Sequence, residues 1–167
     1  MLKVIGLLAL IAASTGVGMH FSSRLRERVH LLELILKMLA DIETMIRFQA
    51  AEVGVIFDKL AKNRRYAPLT FIDDCAAAIK GGGTLVQAFD QIDQSALPLK
   101  KGDEAQLASF FGALGATDVE GQLKNCAMHK NLFEDTLQAA KEDAAKKGRL
   151  YAALGLFAGL ATAILLI

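Results

Sequence analysis

From Leu150 to Ile167 the chain reads LYAALGLFAGLATAILLI, without one charged side chain. At about 1.5 Å per residue a helix over these positions spans about 27 Å, close to the roughly 30 Å hydrocarbon layer of a bilayer. A second run free of acids, lysines and arginines covers Val4 to Ser23. Two apolar ends therefore bracket a polar middle. This organisation predicts an N-terminal transmembrane segment at 1–23, a cytoplasmic helical bundle domain at 24–149 and a C-terminal transmembrane segment at 150–167.

Basic residues set the expected topology. Arg24, Arg26 and Arg28 follow the first apolar run, and Lys141, Lys146, Lys147 and Arg149 precede the second, whereas only Lys3 lies beyond either. By the positive-inside rule the middle domain faces the cytoplasm. A cleavable signal peptide is the competing reading of residues 1–20, because Lys3, the apolar stretch and the small residues Ala12, Ala13 and Ser14 resemble its layout. Three arginines directly downstream would hinder export, and the run exceeds an h-region of about 7–15 residues. The uncleaved anchor is the reading adopted.

Composition removes several classes of function. Net charge is +1, which argues against a broad nucleic-acid footprint. Cys75 and Cys126 are the two cysteines, without CxxC spacing or neighbouring histidines, and read as buried free thiols. The histidines at 20, 30 and 129 have no visible nucleophile partner; His20 falls at a membrane boundary, and His30 and His129 fall on polar helix faces. The adjacent acids Asp73/Asp74, Glu134/Asp135 and Glu142/Asp143 diverge by about 100° on a helix and read as solvated faces. No cofactor, metal or catalytic constellation is expected.

Periodicity makes the middle all-helical. Leu25, Val29, Leu32, Leu36, Leu39, Ile42 and Ile46 form one stripe from Arg24 to Phe48, with no Pro or Gly separating it from the apolar run before it. A second helix covers about Glu52–Lys62. A third opens at Pro68 and closes at Gly81, Gly82 and Gly83. Thr84 with Gln87, and Thr117 with Glu120, have capping-box spacing, and Asp103 is placed as N-cap of a helix over Glu104–Leu114. The sixth helix runs from Asp118 to the end as one rod of about 75 Å.

Two groups of residues are candidate contact sites. Gly155, Gly159 and Ala163 recur every four residues, as do Ala9/Ala13 and Ala12/Gly16, and such spacing lets helices approach closely in lipid. The two anchors are expected to pack on each other or on partner helices. The basic knot Lys62, Arg64, Arg65 suits lipid headgroups or an acidic partner. Asp90, Asp93, Asp103, Glu104, Asp118 and Glu120 give an opposing acidic bias.

The segment Leu114-Gly115-Ala116-Thr117-Asp118 with Gln122, then Tyr151, Leu154-Gly155 and Gly159 before a terminal ILLI, resembles the stage III sporulation protein AB family. Ile42 to Phe48 and the basic Arg24 to Arg28 region resemble it too, with departures at Met45, Phe48, Ala50 and Ala51. The resemblance implies a six-helix bundle similar to the cytoplasmic domain of the type II secretion platform protein (GspF-like). It further implies a non-enzymatic component of the channel between mother cell and forespore, required for endospore formation and set in the mother-cell membrane around the forespore. The implied partners are the secretion-type ATPase, stage III sporulation protein AA, and other channel membrane proteins; a homo-oligomer is a separate expectation. Lys62, Arg64, Arg65, Asp103 and Glu104 are the docking candidates, and Gly155 and Gly159 the membrane contacts. A holin-like pore former and a general membrane-anchored helical adaptor are the alternatives.

Overall fold

The computed structural model describes residues 2–92 and 97–165, with side chains throughout except at 2–5, 7, 8, 10, 152, 156 and 163–165. These residues are all-α: α1 (Leu2–Gln49), α2 (Val53–Ala61), a 3-10 turn (Arg64–Tyr66), α3 (Phe71–Lys80), α4 (Leu85–Asp90), α5 (Lys101–Ala113) and α6 (Val119–Leu165). Six helices and no strand were the expectation, and both hold among the described residues. Among them no helix is long and apolar enough to cross a membrane. Both uncharged runs of the sequence reach into positions outside the described side chains, as does Ala163 of the small-residue stripe.

The chain parts into two compact units, Met1–Val29 with Gln138–Ile167, and His30–Leu137. The second holds the main apolar core. Leu32, Ile35, Met38, Leu39, Ile42 and Ile46 bury one face of α1, and Phe133 and Cys126 that of α6. The α1 stripe is wider than period counting gives, because Leu31, Leu34 and Met45 are buried too while Leu36 is only half-buried. Phe57, Phe71, Phe89 and Phe111 tie α2, α3, α4 and α5 together, with ring centroids 5.5–5.9 Å apart in edge-on or tilted pairs. Each such pair adds about 0.5–1.5 kcal/mol beyond area burial.

Helix ends follow local chemistry closely. Thr84 Oγ1 accepts from the Gln87 amide and the Gln87 side chain accepts from the Thr84 amide, so the first capping box forms as expected. The triple glycine also caps: Gly83 N–H donates to Ala78 O at 2.9 Å and Gly82 N–H to Ile79 O at 3.0 Å, the Schellman pattern, with Gly82 at φ +80°. Leu114 and Gly115 form a type II turn in which Gly115 takes φ +81°.

Three expected helix starts shift. Pro68 lies in a turn after the 3-10 segment and α3 begins at Phe71, because Tyr66 and Leu69 are drawn into the core first. The helix assigned to Glu104–Leu114 starts at Lys101, and Asp103 acts from its third position, its carboxylate accepting from Lys100 N–H at 2.9 Å. For α6 the cap is Asp118, whose Oδ1 accepts from Gly121 N–H at 2.9 Å; Thr117 and Glu120 do not form the box. Gly121 leaves room beside Thr117, which a Cβ would meet at 2.6 Å.

The other unit pairs the early part of α1 with the late part of α6. A Cβ on Gly18 would lie 2.4 Å from Tyr151 O, one on Gly155 would lie 2.8 Å from Ser14 O, and one on Gly159 would lie 3.0 Å from Ile11 Cα. Glycine is required at this seam because backbone meets backbone. Ser14 Oγ donates to Gly155 O at 2.6 Å, and Ser22 Oγ faces Gly148. Ser14, Gly18 and Ser22 thus pair with Gly148, Gly155 and Gly159.

Candidate partner-docking site

The link between α2 and α3 carries the densest positive charge of the bundle unit. Lys59, Lys62, Arg64 and Arg65 fall within seven positions that hold no acid. The sequence keeps this segment tight: Asn63 Oδ1 accepts from Arg65 N–H at 3.1 Å, and Tyr66 N–H donates to Asn63 O at 2.9 Å, which makes the single 3-10 turn. Tyr66 then drops into the core, 2% exposed, and its hydroxyl donates to the Asp41 carboxylate on α1. Burial first, and then that carboxylate, push the Tyr66 phenol well above its usual range.

Asp58 anchors the other side of the link. Its carboxylate takes Lys62 Nζ at 2.5 Å and Lys80 Nζ at 2.6 Å, joining α2 to the last turn of α3. The hydrogen bond from Lys62 and then that from Lys80 hold its carboxyl down, at about 2. One acid is thereby shared by two ammonium groups, which leaves a net positive charge. Lys59 Nζ donates to Gln49 Oε1 at 2.6 Å, so it too is held. Arg64 is exposed; its carbonyl accepts from Ala67 N–H at 3.3 Å, while its guanidinium has no hydrogen bond or ion pair among the described residues.

Two clefts flank the link. One, of about 140 Å³, has a floor of Leu60, Leu69 and Ile72 and a rim of Lys62, Arg64 and Asp73. The other, more open and of about 200 Å³, lies between Asp41, Met45 and Lys59. Leu60 and Asn63 border both and form the ridge between them.

The remaining candidates scatter. Asp103 is 3% exposed and committed to the start of α5, so its carboxylate is off the surface, while Glu104 is half-buried. Asp118 is the α6 cap, and Asp93 lies outside the described residues. Gly155 and Gly159 sit in the seam with α1, but their partners are not the small residues expected. Ala9, Ala12, Ala13 and Gly16 are exposed, and a Cβ on Gly16 would meet nothing within 4 Å. The Ser14, Gly18, Ser22 stripe, with the same four-residue step, is the sequence signal for this face. Of the boundary arginines Arg28 is 7% exposed, whereas Arg24 and Arg26 are on the surface.

His129 corrects another expectation. It lies in the core rather than on a polar face, 2% exposed, against the Phe110 ring at 5.4 Å, with Nδ1 3.1 Å from Asn125 O. Both cysteines are buried thiols, as their sequence context suggested; burial pushes Cys75 up to about 12 and Cys126 up to about 11. Thiols so raised are poor nucleophiles. Among the described residues no group of His, Cys, Asp and Glu is placed to hold a metal ion.

A family model of stage III sporulation protein AB matches residues 3–167. The chain belongs to the stage III sporulation protein AB family. Its role therefore lies in sporulation. No curated protein and no solved structure matches the chain.

Proposed function

We propose that this member of the stage III sporulation protein AB family is a non-enzymatic platform component of the channel between mother cell and forespore. On this reading its central bundle is GspF-like and docks the cognate secretion-type ATPase, stage III sporulation protein AA, on the cytoplasmic side. The paired ends of α1 and α6 anchor it in the mother-cell membrane around the forespore.

The observation that carries the reading is the inside-out packing of the first unit. Its seam is made of glycine and serine, while Val17, Met19, Phe21, Leu150, Leu154 and Phe157 are exposed, the last by 66%. In water such a helix pair would be turned the wrong way round; in lipid, small residues inside and large apolar residues outside is the stable arrangement. Arg24, Arg26, Lys146 and Arg149 lie where headgroup phosphates would meet the two helices.

The test is made in sporulating cells with a tagged full-length chain. The protein is expected to stay in carbonate-washed membranes, to co-purify the ATPase, and to be required for spore yield. Release by carbonate overturns the anchoring, and a tagged chain that brings down no ATPase overturns the docking.

A further inference from the structure

The positive link between α2 and α3 has a shape as well as a charge. The smaller cleft beside it, about 140 Å³, is floored by Leu60, Leu69 and Ile72. A cavity of about 150 Å³ accepts a benzene ring, so this one holds a single apolar side chain. Lys62, Arg64 and Asp73 stand on its rim, two cations to one acid, and the Arg64 guanidinium has no partner among the described residues. On the other side of Leu60 and Asn63 the second cleft adds Met45 as an apolar wall, with Lys59 held by Gln49 and Asp41 held by Tyr66 at its edges. The 3-10 turn is fixed from beneath by the Tyr66 to Asp41 hydrogen bond and from within by Asn63, so the cations are presented on a rigid support.

We infer that the α2–α3 link is the recognition surface for an acidic partner segment, one that seats apolar side chains in the clefts on either side of Leu60 and sets carboxylates against Lys62, Arg64 and Arg65. A lipid surface would need the charges alone and would leave the two clefts empty. A peptide that alternates acids with leucine or phenylalanine uses both features. The inference rests on the docking reading for the identity of the partner, and on the cleft for its chemistry. Of the acidic residues once set beside the basic knot as docking candidates, Asp103 is buried; the recognition is carried by cations.

The experiment uses the full chain in phosphatidylcholine nanodiscs and a fluorescent peptide of repeated Glu-Glu-Leu-Leu. Exposed ion pairs are individually weak, so reversing both Arg64→Glu and Arg65→Glu is expected to weaken binding about tenfold. Ala67→Trp, which fills the smaller cleft, is expected to weaken it as well, while Ala67→Ser leaves it unchanged. These positions are exposed, and an unaltered thermal melt confirms that each variant folds. An all-glutamate peptide that binds as tightly, phosphatidylglycerol vesicles that displace the probe completely, or absence of peptide binding would each overturn the inference. Co-purification of the ATPase is read separately. If it fails, or survives the Arg64, Arg65 and Ala67→Trp variants intact, while the peptide results hold, the cleft stands and the partner was misassigned; if the parent and all three variants bind the peptide alike, the cleft is wrong.

Discussion

Asp58 is held by two ammonium groups from two helices, and this makes one surface carboxylate sensitive to acid in a defined way. Its folded-state value lies below the ordinary 3.8, at about 2. A depressed carboxyl contributes stability that is complete above its unfolded value and is lost as pH falls through the folded one. Comparison of the parent with Asp58→Asn by urea unfolding is therefore expected to give a constant stability difference above about pH 5, shrinking between about pH 4 and pH 2. A difference that persists unchanged at the acid end would show that the carboxylate acts otherwise than through Lys62 and Lys80. Glu43 belongs to the same class, lowered chiefly by its hydrogen bond from Lys130 and then by that from Arg47. Its partner lies on α6, 3.0 Å away, which no local spacing could reveal.

At the scale of elements, the seam between the early part of α1 and the late part of α6 is set by backbone approach. Replacing Gly18 with alanine places a methyl group 2.4 Å from Tyr151 O, and the two helices must separate to admit it. Overpacking of this kind costs about 1–3 kcal/mol, so Gly18→Ala and Gly155→Leu are expected to lower the thermal midpoint of the detergent-solubilised chain, whereas Gly16→Ala does not. Equal midpoints for all three would remove the seam. The sequence made the helices legible, since long apolar periods and the Thr84 box act within one turn. Its small-residue stripes Ala9/Ala13 and Ala12/Gly16 are not the ones that Gly155 and Gly159 meet, which are Ile11, Ser14 and Gly18. Every small-residue stripe looks alike along a single helix; which one is covered depends on the rotation imposed by the partner. The capping at Asp118 instead of Thr117 is the same kind of one-position ambiguity between neighbouring side chains that can both accept from an amide.

For the whole molecule, the apolar core of the second unit is drawn entirely from His30–Leu137, Leu31 to Phe133. That span has ordinary single-domain size. Residues 30–137 made alone are expected to be helical by circular dichroism and to melt in one cooperative transition. A broad, gradual melt would mean that the bundle depends on the rest of the chain. Charge read along the sequence found Lys62, Arg64 and Arg65, because they sit side by side. It missed Asp58, Lys80 and Tyr66, which the fold brings to the same link from three elements. It also placed His129 outside, since an imidazole between a lysine and a methionine gives no sign that Phe110 lies over it.

The seam has a consequence in time. Ser14 hydrogen-bonds a carbonyl 141 residues further along. At a synthesis rate of about 5–20 residues per second, the first helix waits roughly 7 to 28 s before its mate exists. During that interval the Ser14 and Gly18 face is open to whatever is nearby, and a nascent chain that stalls never closes it. Synthesis of the late part of α6 itself becomes the event that seals this helix pair.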